Sequence, residues 1–250
     1  MKYIKYKLKG SFGQKEINVK IYYAQKKTSH IAVFFHWAYS STLKKKYFQF
    51  ARQLCTKANT HVVLYETSRD YSYAKFERKG ITFQEYEKTF TGKTFQHELH
   101  DVRRVVSFVH DHFKAIKKPR LHFIGMSMGA MLASCLIKDH QSLLHTIILI
   151  GSGYMITGAE NRPILNSLPN TILQNYRSFL GNITILHGEN DKVLSKEQSI
   201  KIFLISTKSN NKKLIWIKGA DHRFITIDNK PAEKKLNKQL LKIIINEIIG

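Results

Sequence analysis

Six short apolar runs separated by helix-length stretches constrain this chain more than any other feature. Residues 31–35, Ile-Ala-Val-Phe-Phe, are apolar without interruption, the pattern of a central strand covered on both faces by helices. Comparable runs occupy residues 61–65, 121–124, 146–150, 183–186 and 214–217. Between them lie helical patterns at residues 43–57, 95–113 and 127–139, and the second carries Phe95, Leu99, Val102, Val106, Val109 and Phe113 on one face. Ahead of this alternation, residues 3–9 and 17–23 show period-two patterning and predict an antiparallel strand pair, turned at residues 10–13. Strand and helix in alternation predict an α/β fold with a mostly parallel, doubly wound sheet of about eight strands.

The closing segments fit the same scheme. Ser195-Lys196-Glu197-Gln198 has the form of a capping box and predicts a helix start. Pro231 suits the first turn of a last helix carrying Leu236, Leu240, Ile244 and Ile248 on one face. No repeat or linker interrupts the 250 residues, so one domain is expected, with a small flap in the aromatic segment 68–93 that holds Tyr71, Tyr73, Phe76, Phe83, Tyr86 and Phe90. Between Gly153 and Asn182 there is too little chain for a large lid.

Charge and cysteine content limit the function classes. The formal net charge is +23, but the lysines are spread over every segment, with Lys44-Lys45-Lys46 the densest run. A solubilising surface weakly attracted to anionic surfaces is expected, and no nucleic-acid partner. No run of eighteen apolar residues occurs, and Met1 to Lys7 alternates apolar with charged residues, so a cytoplasmic protein without membrane insertion is expected. Oligomeric state is not legible. Two cysteines, Cys55 and Cys135, allow no zinc site, and His97, His100, His110 and His112 lack the His-Glu-x-x-His arrangement. They are expected to be solvated helix residues, with no metal and no organic cofactor.

The chemistry concentrates in Gly125-Met126-Ser127-Met128-Gly129, which follows a buried strand directly and precedes a helical pattern. A sharp strand-to-helix turn leaves no room for side chains beside its central residue, and the helix start favours developing negative charge there. A serine hydroxyl needs a base to take its proton and an acid to orient that base. Asp191 stands in the turn after the strand at 183–186, with Glu189 as the rival acid. His222 stands in the turn after the last strand. Asp221 is expected to bond locally beside it, and His187 to be structural.

From residue 33 to the closing helix the chain resembles the α/β-hydrolase superfamily. Ser127, Asp191 and His222 match that family's catalytic triad in kind and order. The resemblance implies hydrolysis of a carboxylic ester, thioester or amide through an acyl-enzyme and adds no substrate; the short lid region favours a carboxylesterase acting on small to medium acyl groups of a small-molecule ester. A thioesterase, a short-peptide serine peptidase and a lysophospholipid hydrolase share the same triad, and a non-catalytic binding protein shares the fold. The family usually carries His-Gly and an apolar residue after the third strand. Here the segment is His36-Trp37-Ala38-Tyr39-Ser40, so Trp37 replaces the glycine. The resemblance then implies Ala38 and Met128 as oxyanion-hole donors, with Trp37 and Tyr39 binding substrate.

Overall fold

The computed structural model describes residues 2–69, 80–155, 163–165, 168–224 and 230–250. Tyr71, Tyr73 and Phe76 of the expected flap lie outside them, as does the side chain of Phe83. Eight strands form one sheet in the order β1-β2-β4-β3-β5-β6-β7-β8. In chain order they are β1 (Tyr3–Lys9), β2 (Glu16–Tyr22), β3 (His30–Phe35), β4 (His61–Glu66), β5 (Arg120–Met126), β6 (Leu144–Ile150), β7 (Asn182–Gly188) and β8 (Asn211–Ile217). β1 pairs antiparallel with β2, and β2 antiparallel with β4. From β4 to β8 every pairing is parallel.

The described helices are α1 (Lys45–Lys57), α2 (Phe83–Lys88), α3 (Phe95–His112), α4 (Met128–Cys135), α5 (Ile137–His140), α6 (Ile172–Ser178), α7 (Lys196–Ile205) and α8 (Lys230–Ile249). The central strands are largely apolar because both of their faces are buried. Val33 and Phe35 join Val102 and Val106 of α3 and Met131 of α4 in one core layer. Ala32 and Phe34 join Leu54 of α1 and Leu240 and Ile244 of α8 in the other. Alternate residues of one strand thus feed opposite layers. At the outer edge β8 exposes Lys213, a charge of the kind that makes a sheet edge resist pairing.

Three local expectations are corrected. The helix expected at 127–139 is two helices that meet at Leu136. Ser134 Oγ bonds back to the Ala130 carbonyl at 2.7 Å, and Asn175 Nδ2 donates to the Ser134 carbonyl at 3.0 Å. Both contacts divert groups that a continuing helix would use. Helix α7 starts where the capping box predicts, but Ser195 makes no side-chain cap bond. Gln198 instead accepts from the amides of Tyr154 and Met155 at 3.0 and 3.2 Å, which ties down the chain after β6.

The third correction concerns the helical histidines. His97 Nδ1 accepts from the Thr94 amide at 3.1 Å and completes a capping box at the start of α3. His112 Nε2 lies 2.8 Å from Tyr23 Oη, within an aromatic group that includes Tyr6 and Phe113. Only His100 and His110 are solvated. No group of three or more His, Cys, Asp or Glu side chains able to hold a metal exists among the described residues. Cys55 and Cys135 are buried free thiols.

A buried histidine sets an acid limit on stability. His122 on β5 is fully buried, with Nε2 3.0 Å from His30 Nδ1 and the His145 ring edge-on at 5.7 Å. Burial, with His30, His145 and Arg120 adding to it, holds its pKa well below the usual value. The unfolded chain therefore takes up this proton first as pH falls below about 6.5, at about 1.4 kcal/mol per pH unit. Stability is complete above that value and declines below it. Thermal unfolding at pH 7.5 and 5.0 should show a fall in Tm that His122→Val diminishes, and an equal fall in both proteins would contradict the assignment.

Candidate active site

Ser127 sits between β5 and α4 with φ 52° and ψ −122°, a backbone conformation that costs a non-glycine residue about 1–3 kcal/mol. The flanking glycines make that turn feasible. A Cβ on Gly129 would stand 2.4 Å from the Phe35 carbonyl oxygen, and one on Gly125 would stand 2.4 Å from Ala130 Cα. Alanine at 129 would push α4 off the end of β3.

The turns after β7 and β8 are laced together by backbone bonds. Glu189 N donates to the Ile217 carbonyl at 3.1 Å and Asn190 N to the Ala220 carbonyl at 2.9 Å. This lacing brings Asp191 to His222, whose Nδ1 is 2.8 Å from Asp191 Oδ2 and whose Nε2 is 2.9 Å from Ser127 Oγ. A carboxylate only accepts, so Nδ1 carries the proton and Nε2 turns its lone pair to the serine hydroxyl. Asp191 Oδ1 accepts from the amides of Val193 and Leu194 at 2.8 and 3.0 Å. Burial pushes the Asp191 carboxyl up, but the His222 bond and these two amides outweigh it and leave its pKa below the ordinary value. Glu189, the rival acid, is exposed. Asp221 Oδ1 accepts from the Arg223 amide at 2.9 Å, and His187 bonds Ser199 Oγ at 2.8 Å in the core.

A family model described as serine hydrolase (FSH1) matches residues 40–224, which is 185 of the 250 residues. The chain belongs to this family. The match begins at Ser40, so the segment in which Trp37 replaces glycine lies just outside it. No curated protein sequence matches this FSH1-family chain. Among solved structures it is similar to the Pyrococcus furiosus esterase Pf2001, at 14% identity and TM-score 0.67 over 100% of this chain and 93% of that one. It is similar also to Est1E from Butyrivibrio proteoclasticus, at 12% identity and TM-score 0.65 over 98% and 99%. An alpha-beta serine hydrolase homologue from Coxiella burnetii gives 14% identity and TM-score 0.60 over 96% and 97%. The chain therefore has the α/β-hydrolase fold and is a serine hydrolase. No described helix is long and apolar enough to cross a membrane.

Around Ser127, the loop after β3 is held by His36 and by residues that the sequence pattern did not mark. His36 is buried, and its Nδ1 lies 2.9 Å from the Trp37 carbonyl oxygen. Because a carbonyl only accepts, Nδ1 is protonated, and burial lowers the ring's pKa to about 4 and keeps it neutral. In a planar trans peptide the carbonyl and the next N–H point oppositely, so this bond turns the Ala38 N–H away from His36. Arg69, also buried, donates from Nη2 to the Ser40 carbonyl at 2.7 Å and from Nη1 to Tyr86 Oη. Thr42 bonds the backbone of Tyr65 through both its amide and its hydroxyl. Met128 is the first residue of α4, so its N–H has no partner four residues back.

The two remaining expected site residues lie on the same loop. Trp37 is half-buried beneath the ammonium groups of Lys44 and Lys46, at 5.6 and 5.0 Å from its ring centre. Tyr39 takes a positive φ of 55° and meets the Phe90 ring edge-on at 5.2 Å.

Proposed function

We propose that the protein is a carboxylesterase that cleaves small to medium acyl esters through an acyl-enzyme on Ser127. The observation that carries this reading is the hydrogen-bonded chain from Ser127 through His222 to Asp191. Ser127 Oγ attacks the ester carbonyl while its proton passes to His222 Nε2, and Asp191 stabilises the imidazolium. The Ala38 and Met128 amides hold the tetrahedral oxyanion. As the intermediate collapses, the departing alkoxide takes the proton from His222. Water then repeats the sequence on the acyl group and releases the acid and free Ser127. Nothing in this scheme requires a metal or an organic cofactor.

The substrate range rests on the short connection after β6 and on the aromatic side chains at the loop. Trp37 and Tyr39 line the acyl side, and Phe90 meets the Tyr39 ring edge-on. Est1E has also been solved with ferulic acid bound, an aromatic acid, which makes an aromatic ester a useful member of a test panel. Nitrophenyl esters from acetate to decanoate, a feruloyl ester, a thioester and a peptide amide should show burst kinetics and turnover on the short and medium esters, with amides slowest. A folded protein inert towards every ester would overturn the proposal. With Trp37→Gly the chain-length optimum should move while the burst on acetate stays near wild type. A uniform loss across the panel would instead mean that Trp37 shapes the oxyanion loop.

A further inference from the structure

On the face of the sheet covered by α1 and α8, these two helices leave a groove of about 890 Å³. Its floor is Phe50, Leu241 and Ile245, and its walls carry Arg52, Lys57, Lys234, Lys238 and Lys242. Five of its eleven described lining residues are therefore cations and none of the eleven is acidic, against 41 Lys and Arg in the 250-residue chain. The groove is more basic than the general excess of lysine explains. Elsewhere on the described surface lysine and arginine do find carboxylates, as in Lys7 with Glu16, Arg103 with Asp139 and Lys213 with Glu247.

Like charges gathered on facing helices repel one another, and an anion between them relieves that repulsion. The floor adds a second requirement, since Leu241 and Ile245 lie one turn apart on α8 and offer a strip of methyl groups beside Phe50. The volume is in the range of small-ligand sites. Neither Ser127 nor His222 nor Asp191 lines it. We propose that this groove is a second binding site, for a single-chain anionic amphiphile whose carboxylate or phosphate head sits among the α1 and α8 cations while its first methylenes lie on Phe50, Leu241 and Ile245. Chain and head are read by different residues, so either can be removed separately. A nucleic acid would use the cations alone, because Phe50 is the only aromatic ring among the described lining residues and successive bases need more than one ring to stack on.

Titration calorimetry with dodecanoate below its micellar threshold tests the site, on protein whose Ser127 has first been blocked with a small fluorophosphonate so that the ester site is closed. Dodecanoate should bind, while dodecyl maltoside, which has the chain without the charge, and acetate, which has the charge without the chain, should bind at least about tenfold more weakly. The variant Lys234→Glu, Lys238→Glu, Lys242→Glu should weaken dodecanoate by about tenfold or more, and Leu241→Ser with Ile245→Ser should weaken it while leaving inorganic phosphate unchanged. The control Lys114→Glu, Lys117→Glu, Lys138→Glu, with the same charge change on exposed positions elsewhere, should bind as wild type. Equal loss in the control, equal binding of the neutral detergent, or tighter binding of oligo-dT through the same lysines would overturn the proposal. The same comparisons on Ser127→Ala protein need no reaction with the probe, so none of these outcomes depends on the reading of Ser127.

Discussion

Replacing Ser127 with alanine should lower ester turnover by on the order of 10⁴-fold or more, while the protein remains folded. The loss corresponds to about 5.4 kcal/mol of transition-state stabilisation. It is large because the acyl-enzyme route disappears, not because one contact weakens. His222→Ala should lose nearly as much, and the double variant scarcely more than either single one, since hydroxyl and base act as one unit. Additive losses would mean that the two groups work separately. Asp191→Asn should fall by a smaller factor, because the amide can still bond His222 but disfavours the tautomer that leaves Nε2 free.

The second large effect is on stability. Lys93 is completely buried, with Nζ 2.8 Å from Glu98 Oε1 and 3.6 Å from Asp101 Oδ2, and it also donates to Thr67 Oγ1 and the Ser68 carbonyl. Asp101 in turn accepts from Ser11 and from Ser68, which fixes the β1–β2 turn and the end of β4 to α3. Burial would raise the Glu98 carboxyl, but Lys93, His36 and Arg69 together bring its pKa down to about 2. Lys93→Met leaves two buried carboxylates without their cation and should cost about 3–5 kcal/mol. For a chain of this size that is a fall in Tm of about 6–20 °C. Lys7→Met, which breaks an exposed pair with Glu16, should change Tm little. Adding Glu98→Gln to Lys93→Met should recover part of the loss. A Lys93→Met protein as stable as wild type would show that the carboxylates take up protons or water at no cost.

These residues also mark how far the sequence could be read. The sheet was legible because each central strand is a short, mostly apolar run, and because helices carry one apolar face at three- and four-residue steps. The order of Ser127, Asp191 and His222 along the chain was legible because each follows a strand directly, and parallel strands deliver their following turns to one edge. Lys93, Glu98, Arg69 and His36 were not legible as a group. Nothing local separates a buried lysine from the many exposed ones, and the partners that make burial affordable lie on β4, α3 and the β3 loop. The break at Leu136 was hidden for a similar reason, since its cause includes Asn175, some forty residues away. Trp37 stood out in the sequence, but the orientation of the Ala38 amide depends on the His36 ring folding back on its own neighbour.

The account stands on Ser127 being the activated nucleophile. Incubation with a fluorophosphonate probe, followed by digestion and mass spectrometry, tests this without any assumption about substrate. One adduct is expected, on the peptide containing Ser127, absent from Ser127→Ala and formed much more slowly in His222→Ala. A folded protein that takes no adduct, or takes it at another serine, would contradict the account.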